Sequence, residues 1–162
     1  MSRDGRSGPL QQRAPTLLVI EDANDQALLV GIAARRANPG LEVQTVHNGL
    51  EGLAYLRGLP PFEDRSRHPL PDLVILDLYM PELDGFEVLS WMREHPLGTR
   101  FPVVVLTASG RPEDEARALE LGATSVHQKP TSLESLGDVV SEIVHRWIGR
   151  GEIIASHIWS EG

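Results

Sequence analysis

Residues 73–77 read Leu-Val-Ile-Leu-Asp, a run of four apolar residues that ends in a carboxylate, and the turn sequence Pro-Glu-Leu-Asp-Gly follows at 81–85. A short, continuous apolar run bounded by turn residues is typical of a strand buried on both faces of a parallel sheet. In open α/β sheets, ligands bind outside the carboxyl ends of the strands. Asp77, at the end of this run, is therefore the first candidate for a functional residue.

Three further predicted strands end in polar side chains. The run 17–20 is followed by Glu21 and Asp22, 103–106 by Thr107, and 126–128 by Lys129 and Pro130. Together, the four strand ends bring three acids, a hydroxyl and an ammonium group to one edge of the predicted sheet. Clustered acids are costly to ionise without a cation, and Mg²⁺ prefers oxygen ligands. The set therefore suits a divalent cation and a phosphoryl group together.

Composition excludes several classes of protein. The 162 residues carry a formal net charge of −8, which argues against nucleic acid, because phosphate backbones attract basic surfaces. The sequence contains no cysteine, so disulfides, thiol catalysis and zinc–thiolate sites are excluded. No apolar run approaches the roughly 20 residues of a membrane-spanning helix, and the N-terminus lacks the apolar core of a secretory signal. We therefore expect a cytoplasmic protein of one domain.

Five predicted strands alternate with five predicted helices. The strands are expected at residues 16–20, 41–46, 73–77, 102–107 and 124–128. In the fourth helix, the expected cap is Ser109 or Gly110, and the expected apolar side carries Ala116, Leu119 and Leu121. Such alternation predicts right-handed crossovers and an α/β fold with a doubly wound parallel sheet, covered by helices on both faces.

Three segments lie outside this repeating pattern. Residues 1–15 are expected to form a disordered N-terminal tail. The proline-rich segment 58–71 is long for a helix-to-strand connection and is either a disordered insertion or a contact surface. The C-terminal tail, 150–162, carries apolar side chains that need burial: Ile153, Ile154, Ile158 and Trp159. We expect this tail either to pack as an arm on a second subunit or to fold back on its own domain.

The polar strand ends indicate phosphoryl chemistry. A carboxylate oxygen of Asp77 can attack phosphorus and form an aspartyl-phosphate. Asp22 and Asp77 are the expected direct ligands of Mg²⁺, with Glu21 acting through water, and the cation neutralises charge in the transition state. Thr107 offers a hydroxyl and Lys129 a positive charge to the phosphoryl oxygens.

The strand-end residues and two turns together resemble the receiver domain of two-component response regulators. The residues that carry the resemblance are Glu21-Asp22, Asp77, Met80-Pro81, Asp84-Gly85, Thr107 and Lys129-Pro130. The resemblance covers residues 16–149 and implies a flavodoxin-like five-stranded sheet of order 2-1-3-4-5 with five helices. It also implies that a histidine kinase transfers a phosphoryl group to Asp77.

The resemblance assigns further roles to individual residues. It implies that Glu21, Asp22 and Asp77 hold Mg²⁺ together with the backbone carbonyl of Tyr79. Thr107 and Lys129 would contact the phosphoryl group. The peptide bond before Pro130 would be cis.

Two departures from the usual receiver pattern have consequences. Val126 stands where many receivers carry an aromatic residue that swings inward on activation, so this form of switch is not expected. Tyr79 is bulky, and we expect it to shield an acyl phosphate from water and prolong its lifetime. The proline-rich segment 58–71 and the last helix with its apolar tail resemble the stand-alone regulators of bacterial phytochromes. This narrower resemblance implies a bacteriophytochrome histidine kinase as donor and a homodimer formed by the last helix and the C-terminal tail.

The sequence also disfavours two alternatives to a phosphorylation-controlled binding protein. A phosphatase with an aspartate nucleophile needs a second carboxylate two residues on, where Tyr79 stands. A phosphorylation-silent scaffold receiver would not need the intact set of Asp77, Thr107 and Lys129. We therefore expect no enzyme, but a regulator that acts through altered binding to its kinase, to a second copy or to a downstream phosphotransfer protein.

Overall fold

The structure, a computed structural model, describes residues 13–150, and its centre is a five-stranded parallel sheet of order β2-β1-β3-β4-β5. The strands are β1 (Thr16–Ile20), β2 (Glu42–Val46), β3 (Leu73–Leu76), β4 (Val103–Thr107) and β5 (Ser125–Gln128). The helices are α1 (Asn24–Ala37), α2 (Gly49–Arg57), α3 (Gly85–Arg93), α4 (Pro112–Glu120) and α5 (Leu133–Trp147), with a short 3₁₀ helix at Pro96–Thr99. The flavodoxin-like fold expected from the sequence is confirmed.

Alternation along the strands builds one apolar core on each face of the sheet. Leu17 and Val19 of β1 point to the core shared with α1 and α5. Leu18 and Ile20 point to the opposite core, shared with α2, α3 and α4. Because successive side chains of a strand point to opposite faces, a strand covered on both sides must be apolar throughout. This explains the continuous apolar runs in the sequence.

Helix α3 begins close to the carboxyl end of β3 and is fixed by a capping box. The side chain of Asp84 accepts a hydrogen bond from the backbone N–H of Glu87, and the Glu87 carboxylate accepts from the N–H of Asp84. These two bonds satisfy donors that the first turn of a helix leaves unpaired. They also fix the end of the short loop that follows Asp77.

Helix α4 differs from the sequence prediction in its cap and its buried side. The cap is Arg111, not Ser109 or Gly110, and Pro112 occupies the first helical position, where its missing N–H does no harm. The buried side chains are Asp114 and Ala118, one turn apart. The expectation that Ala116 and Leu119 form the apolar side is wrong, because both are exposed.

The proline-rich segment 58–71 is folded against α2. The guanidinium of Arg65 donates to the carbonyls of Tyr55 (2.8 Å) and Leu56 (3.0 Å), the last turn of α2. The hydroxyl of Tyr55 donates to the carbonyl of Pro69 at 2.7 Å, and the rings of Phe62 and His68 pack on the Tyr55 ring. Of the two alternatives from the sequence, the disordered insertion is therefore wrong.

The chain ends of the described region are tied to the domain. Arg13 forms an ion pair with Asp72 at 3.3 Å, so the expected disordered tail 1–15 is too long by at least three residues. At the other end, the side-chain amide of Asn38 donates to the carbonyl of Gly149 at 3.0 Å. Residues 1–12 and most of the C-terminal tail, 151–162, lie outside the described residues. Among residues 13–150, no helix is long and apolar enough to cross a membrane.

Candidate functional site

Three carboxylates meet at the carboxyl edge of the sheet. Glu21 and Asp22 follow β1 and Asp77 follows β3, and oxygen atoms of all three lie within 4.8 Å of one another. The strands hold them there, because the N–H of Asp77 continues the ladder to the carbonyl of Ile20 at 3.1 Å. Glu21 and Asp77 are buried, whereas Asp22 is exposed. The structure thus brings together the acids expected from the sequence.

Lys129 reaches this acidic cluster from the end of β5. Its backbone N–H donates to the carbonyl of Thr107 at 2.7 Å, which continues the β4–β5 pairing by one residue. Its ammonium group lies 2.7 Å from Oε1 of Glu21 and 3.5 Å from Oδ2 of Asp77. Because the Lys129 side chain is only 12% exposed, solvent screens both ion pairs weakly.

Burial raises the pKa of Glu21, and the Coulombic repulsion from Asp77 acts in the same direction. The hydrogen bond and positive charge of Lys129 oppose this rise, as does the backbone N–H of Ala23, which donates to the carboxylate at 3.2 Å. Lys129 thus pairs with two of the three clustered acids, Glu21 and Asp77. The arrangement favours a further cation, which would stabilise the ionised form of all three.

Thr107 closes the site on the β4 side. It is 1% exposed, and its hydroxyl oxygen accepts a hydrogen bond from the backbone N–H of Ser109 at 3.3 Å. This contact draws the hydroxyl toward the loop that connects β4 to α4. Because β3 and β4 are paired in the sheet, Thr107 at the end of β4 lies on the same edge as Asp77.

The loop after Asp77 passes very close to the start of α3. The N–H of Gly85 donates to the carbonyl of Leu78 at 2.8 Å, and a Cβ atom on Gly85 would lie 2.3 Å from the carbonyl oxygen of Asp77. Only glycine fits at such a backbone approach. The turn 81–85 therefore serves to hold Asp77 and the short segment that follows it.

Tyr79 extends from this loop toward α4. Its hydroxyl donates to Oδ2 of Asp114 at 2.7 Å and accepts from the guanidinium of Arg111 at 2.9 Å. Its ring packs edge-on against Phe86, with the centroids 5.9 Å apart. The side chain is 47% exposed, so it lies at the surface of the site and not within the core.

The expectation of a cis peptide bond before Pro130 is wrong. Among the described residues, the only cis peptide bond is Pro60–Pro61. The trans form is favoured by about 0.5–1 kcal/mol in X–Pro bonds. Lys129 reaches Glu21 with this trans bond in place.

The model of the family described as "Response regulator receiver domain" matches residues 17–141, which include every strand-end residue of the site. The chain belongs to this family. Its fold is thus that of a receiver domain.

Individual relatives of this receiver include regulators associated with phytochromes. It is 31% identical to the response regulator Rcp1 of Synechocystis over 82% of this chain and 88% of that protein. It is 35% identical to the probable methanogenesis regulatory protein FilR2 of Methanothrix harundinacea, over 82% and 83% of the two chains. The crystal structure of the phosphorylated cyanobacterial phytochrome response regulator RcpA superposes with a TM-score of 0.77, at 31% identity, over 83% of this chain and 94% of that one.

A solved structure with a metal provides a further comparison. The Mn²⁺-bound form of Rcp1 superposes on this receiver with a TM-score of 0.75, at 30% identity, over 83% of this chain and 94% of that one. In this receiver, the three clustered acids are Glu21, Asp22 and Asp77.

Sequence reasoning missed three residues beside the site of this receiver: Ser109, Arg111 and Asp114. Asp114 stands in a run of three acids, which reads as an exposed helix start, and nothing in the sequence separates it from its neighbours. Pro112 was the available signal, since a proline often marks the first position of a helix. It would have placed Arg111 at the cap and Asp114 one turn into α4.

Proposed function

We propose that this receiver is a response regulator that accepts a phosphoryl group on Asp77 from a histidine kinase. The observation that carries the proposal is the position of Lys129, whose ammonium group lies within 3.5 Å of Asp77 and 2.7 Å of Glu21. An ammonium group beside a nearly buried carboxylate, next to a cluster of further acids, suits an incoming phosphoryl group and a divalent cation together.

The metal in this proposal is Mg²⁺, held by Glu21, Asp22, Asp77 and the backbone carbonyl of Tyr79. The fit rests on the separation of the acid oxygens, within 4.8 Å, and on the burial of Glu21 and its repulsion from Asp77, which raise the pKa of Glu21. Oxygen ligands and one exposed acid suit a cation that keeps several of its waters. When bound, Mg²⁺ neutralises charge on the transferred phosphoryl group.

In the proposed transfer, a carboxylate oxygen of Asp77 attacks the phosphorus atom of a phosphohistidine. The O–P bond forms as the N–P bond breaks, and the histidine nitrogen leaves with the bonding electrons and takes up a proton from water. Lys129 holds a phosphoryl oxygen through its ammonium group. The hydroxyl of Thr107 leaves the N–H of Ser109 and donates to another oxygen of the group.

The same site argues for a signalling protein and against an enzyme with turnover. Asp77 is consumed by the transfer and no small-molecule product leaves. Tyr79, two residues on, offers no carboxylate to act as the general acid of an aspartate-nucleophile phosphatase. The phosphoryl group adds a charge of roughly −1.5 to −2, which shifts the receiver between two forms of its surface and so changes what it binds.

For the partners, we propose a bacteriophytochrome histidine kinase and a second copy of this chain. The similarity to Rcp1 and to the phytochrome response regulator RcpA supports the kinase. The dimer is proposed to form through α5 and the C-terminal tail. It is supported by the exposure of Leu133 and Trp147 on α5 and by an apolar groove of about 600 Å³ between α1 and α5.

The test is the intact mass of the protein after incubation with Mg²⁺ and a small phosphodonor, beside an Asp77→Asn control. We expect one added phosphoryl group in the parent and none in the control. If neither protein gains mass with the small donor or with a phosphorylated histidine kinase, the proposal fails and a phosphorylation-silent scaffold becomes the better description.

A further inference from the structure

A hydrogen-bonded bridge spans the gap between the two loops that follow β3 and β4. On one side stands Tyr79, two residues after Asp77. On the other stand Ser109, Arg111 and Asp114, which belong to the β4–α4 loop and the first turn of α4. The hydroxyl of Tyr79 donates to Oδ2 of Asp114 at 2.7 Å, although 35 residues separate the two in the sequence.

Asp114 is the centre of this bridge. Besides the Tyr79 hydroxyl, its Oδ2 atom accepts from the hydroxyl of Ser109 at 2.6 Å and from Nε of Arg111 at 3.2 Å. A second guanidinium nitrogen of Arg111 donates to Oδ1 of Asp114 at 3.3 Å and to the Tyr79 hydroxyl at 2.9 Å. The Asp114 side chain is only 9% exposed. Buried carboxylates need such partners, and here all of them are side chains.

An ordinary helix-start role does not account for these contacts. An acid in the first turn usually accepts from backbone N–H groups or interacts with the helix dipole. Asp114 instead turns its carboxylate to three side chains, one of them on a different loop. Its bonds with Ser109, Tyr79 and Arg111, in that order of effect, lower the pKa of Asp114 to about 2, so it stays ionised throughout the physiological range.

The bridge also contacts Thr107. The N–H of Ser109 donates to the Thr107 hydroxyl at 3.3 Å, while the hydroxyl of the same serine donates to Asp114. A continuous chain of hydrogen bonds therefore runs from Thr107, on the β4 side of the site, to Tyr79, on the β3 side. Asp77 follows β3 and Thr107 ends the neighbouring strand β4, so the two ends of this chain of hydrogen bonds belong to the two strands whose ends carry the site.

We propose that Asp114 is a positioning residue that holds the Tyr79 ring over the opening beside Asp77, where the ring acts as a gate. The proposal rests on the proposed function, since it concerns access to the phosphorylated aspartate. With the gate held shut, the Tyr79 ring slows both the entry of small phosphodonors and the entry of water that hydrolyses the acyl phosphate. When Asp114 no longer holds it, the ring leaves the opening and both rates rise.

The test compares Asp114→Asn, Tyr79→Phe and the double variant with the parent. For each, the rate of phosphoryl gain from a small phosphodonor with Mg²⁺ and the rate of subsequent loss are measured by intact mass. We expect both single variants to speed both reactions by about threefold to tenfold, the factor by which one lost hydrogen bond shifts a two-state equilibrium. Because the two side chains act through one bond, the double variant is expected to show no further gain.

The direction in which the two rates change distinguishes an opened gate from damage to the site. A variant that merely disturbed α4 or Thr107 would gain the phosphoryl group more slowly. Glu115→Gln, which removes an exposed acid from the same turn, is the matched control and should behave as the parent. Tyr79→Ala, which removes the ring altogether, should be at least as fast as Asp114→Asn in both reactions. Unchanged or slower rates in Asp114→Asn and Tyr79→Phe would overturn the proposal.

A readout that needs no phosphorylation tests the positioning directly. The Tyr79 hydroxyl donates to Asp114, whereas the hydroxyl of Tyr55, the other tyrosine, donates to the carbonyl of Pro69. In NMR spectra of ring-labelled tyrosine at constant pH, Asp114→Asn should shift the ring signals of Tyr79 and leave those of Tyr55 unchanged. Ring signals of Tyr79 that stay in place would overturn the role of Asp114. Parent protein that never gains a phosphoryl group would instead overturn the proposed function, and the gate with it.

Discussion

The ammonium group of Lys129 donates to the carboxylate of Glu21 at 2.7 Å, and both side chains are almost fully buried. The same ammonium group stands 3.5 Å from Asp77, so one cation serves two acids. A phosphoryl group on Asp77 adds negative charge on the side of the weaker contact. It should therefore compete with Glu21 for Lys129.

This competition can be followed at a single atom, because Lys129 is the only lysine in the sequence. With lysine labelled at its side-chain nitrogen, NMR should show one ammonium signal. In the parent, we expect phosphorylation by a small phosphodonor with Mg²⁺ to shift that signal. In Asp77→Asn, the same phosphodonor should cause no shift. A parent that gains the mass of a phosphoryl group while the signal stays in place would show that Lys129 remains with Glu21.

Glu21 should make the stability of the metal-free protein depend on pH. Burial raises the pKa of Glu21 in the folded state. When the pKa of a carboxyl is higher in the folded state than in the unfolded state, the group stabilises the fold at low pH. This stability is fully present below the pKa in the unfolded state, about 4.3, and is lost as the pH rises through the pKa in the folded state. Relative to the parent, Glu21→Gln should therefore gain stability as the pH rises from about 4 to 8.

Urea denaturation midpoints in the presence of a chelator measure this difference. Replacement of the exposed Glu115 by Gln provides the control, for which no such gain is expected. A difference between Glu21→Gln and the parent that stays constant across this pH range would refute the role assigned to burial. Addition of Mg²⁺ should reduce the difference at high pH, because the cation stabilises the ionised parent.

Two glycine replacements should change stability in opposite directions. A Cβ on Gly85 would lie 2.3 Å from the Asp77 carbonyl oxygen and 2.7 Å from Cα of Leu78, both backbone atoms that cannot move aside. Gly85→Ala should destabilise the protein by about 1–3 kcal/mol, as overpacking does. Gly137→Ala in α5, where no atom lies within 4 Å, should stabilise it by about 0.5–1 kcal/mol. Thermal or urea unfolding measures both, and a destabilised Gly137→Ala together with an unaffected Gly85→Ala would contradict the structure.

Glu82 holds a backbone conformation that non-glycine residues avoid. Its φ is 69°, in the turn between Asp77 and α3, and its side chain is exposed. The left-handed conformation costs roughly 1–2 kcal/mol for a residue with a Cβ. Glycine avoids this cost but loses more backbone entropy on folding. With both effects counted, Glu82→Gly should stabilise the protein by about 0.5–1 kcal/mol. Glu82→Ala retains the Cβ and should gain nothing, so equal gains in the two variants would place the effect in the side chain and not in the backbone.

Much of the site was predictable because it depends on strand ends. The apolar runs before Glu21, Asp77 and Thr107 identify buried parallel strands, and such strands end at one edge of the sheet. The strand before Lys129, Ser125–Gln128, follows from the alternation of strands and helices. The resemblance to receivers then supplied the strand order and hence the neighbours. No knowledge of side-chain packing was needed for these contacts, since the backbone ladder alone brings the residues together.

The prediction failed where helix rotation and loop packing decide the outcome. The buried face of α4 was assigned to Ala116 and Leu119 because apolar side chains usually face the core. In the structure Asp114 is buried instead, because three side-chain donors satisfy its charge. In the same way, Arg65 fixes the segment 58–71 by donating to the carbonyls at the end of α2, a contact that no local pattern reveals.

The doubly wound sheet and the acids, hydroxyl and ammonium group at its edge follow from the amino-acid sequence alone, because apolar runs and their alternation with helices mark the strands and polar residues end them. How Tyr79 is held depends instead on the three-dimensional packing. Its partner Asp114 lies 35 residues away on another element, and the bond between them depends on the rotation of α4 and the path of two loops. Such contacts arise from packing in three dimensions, which a linear pattern of residue types does not encode.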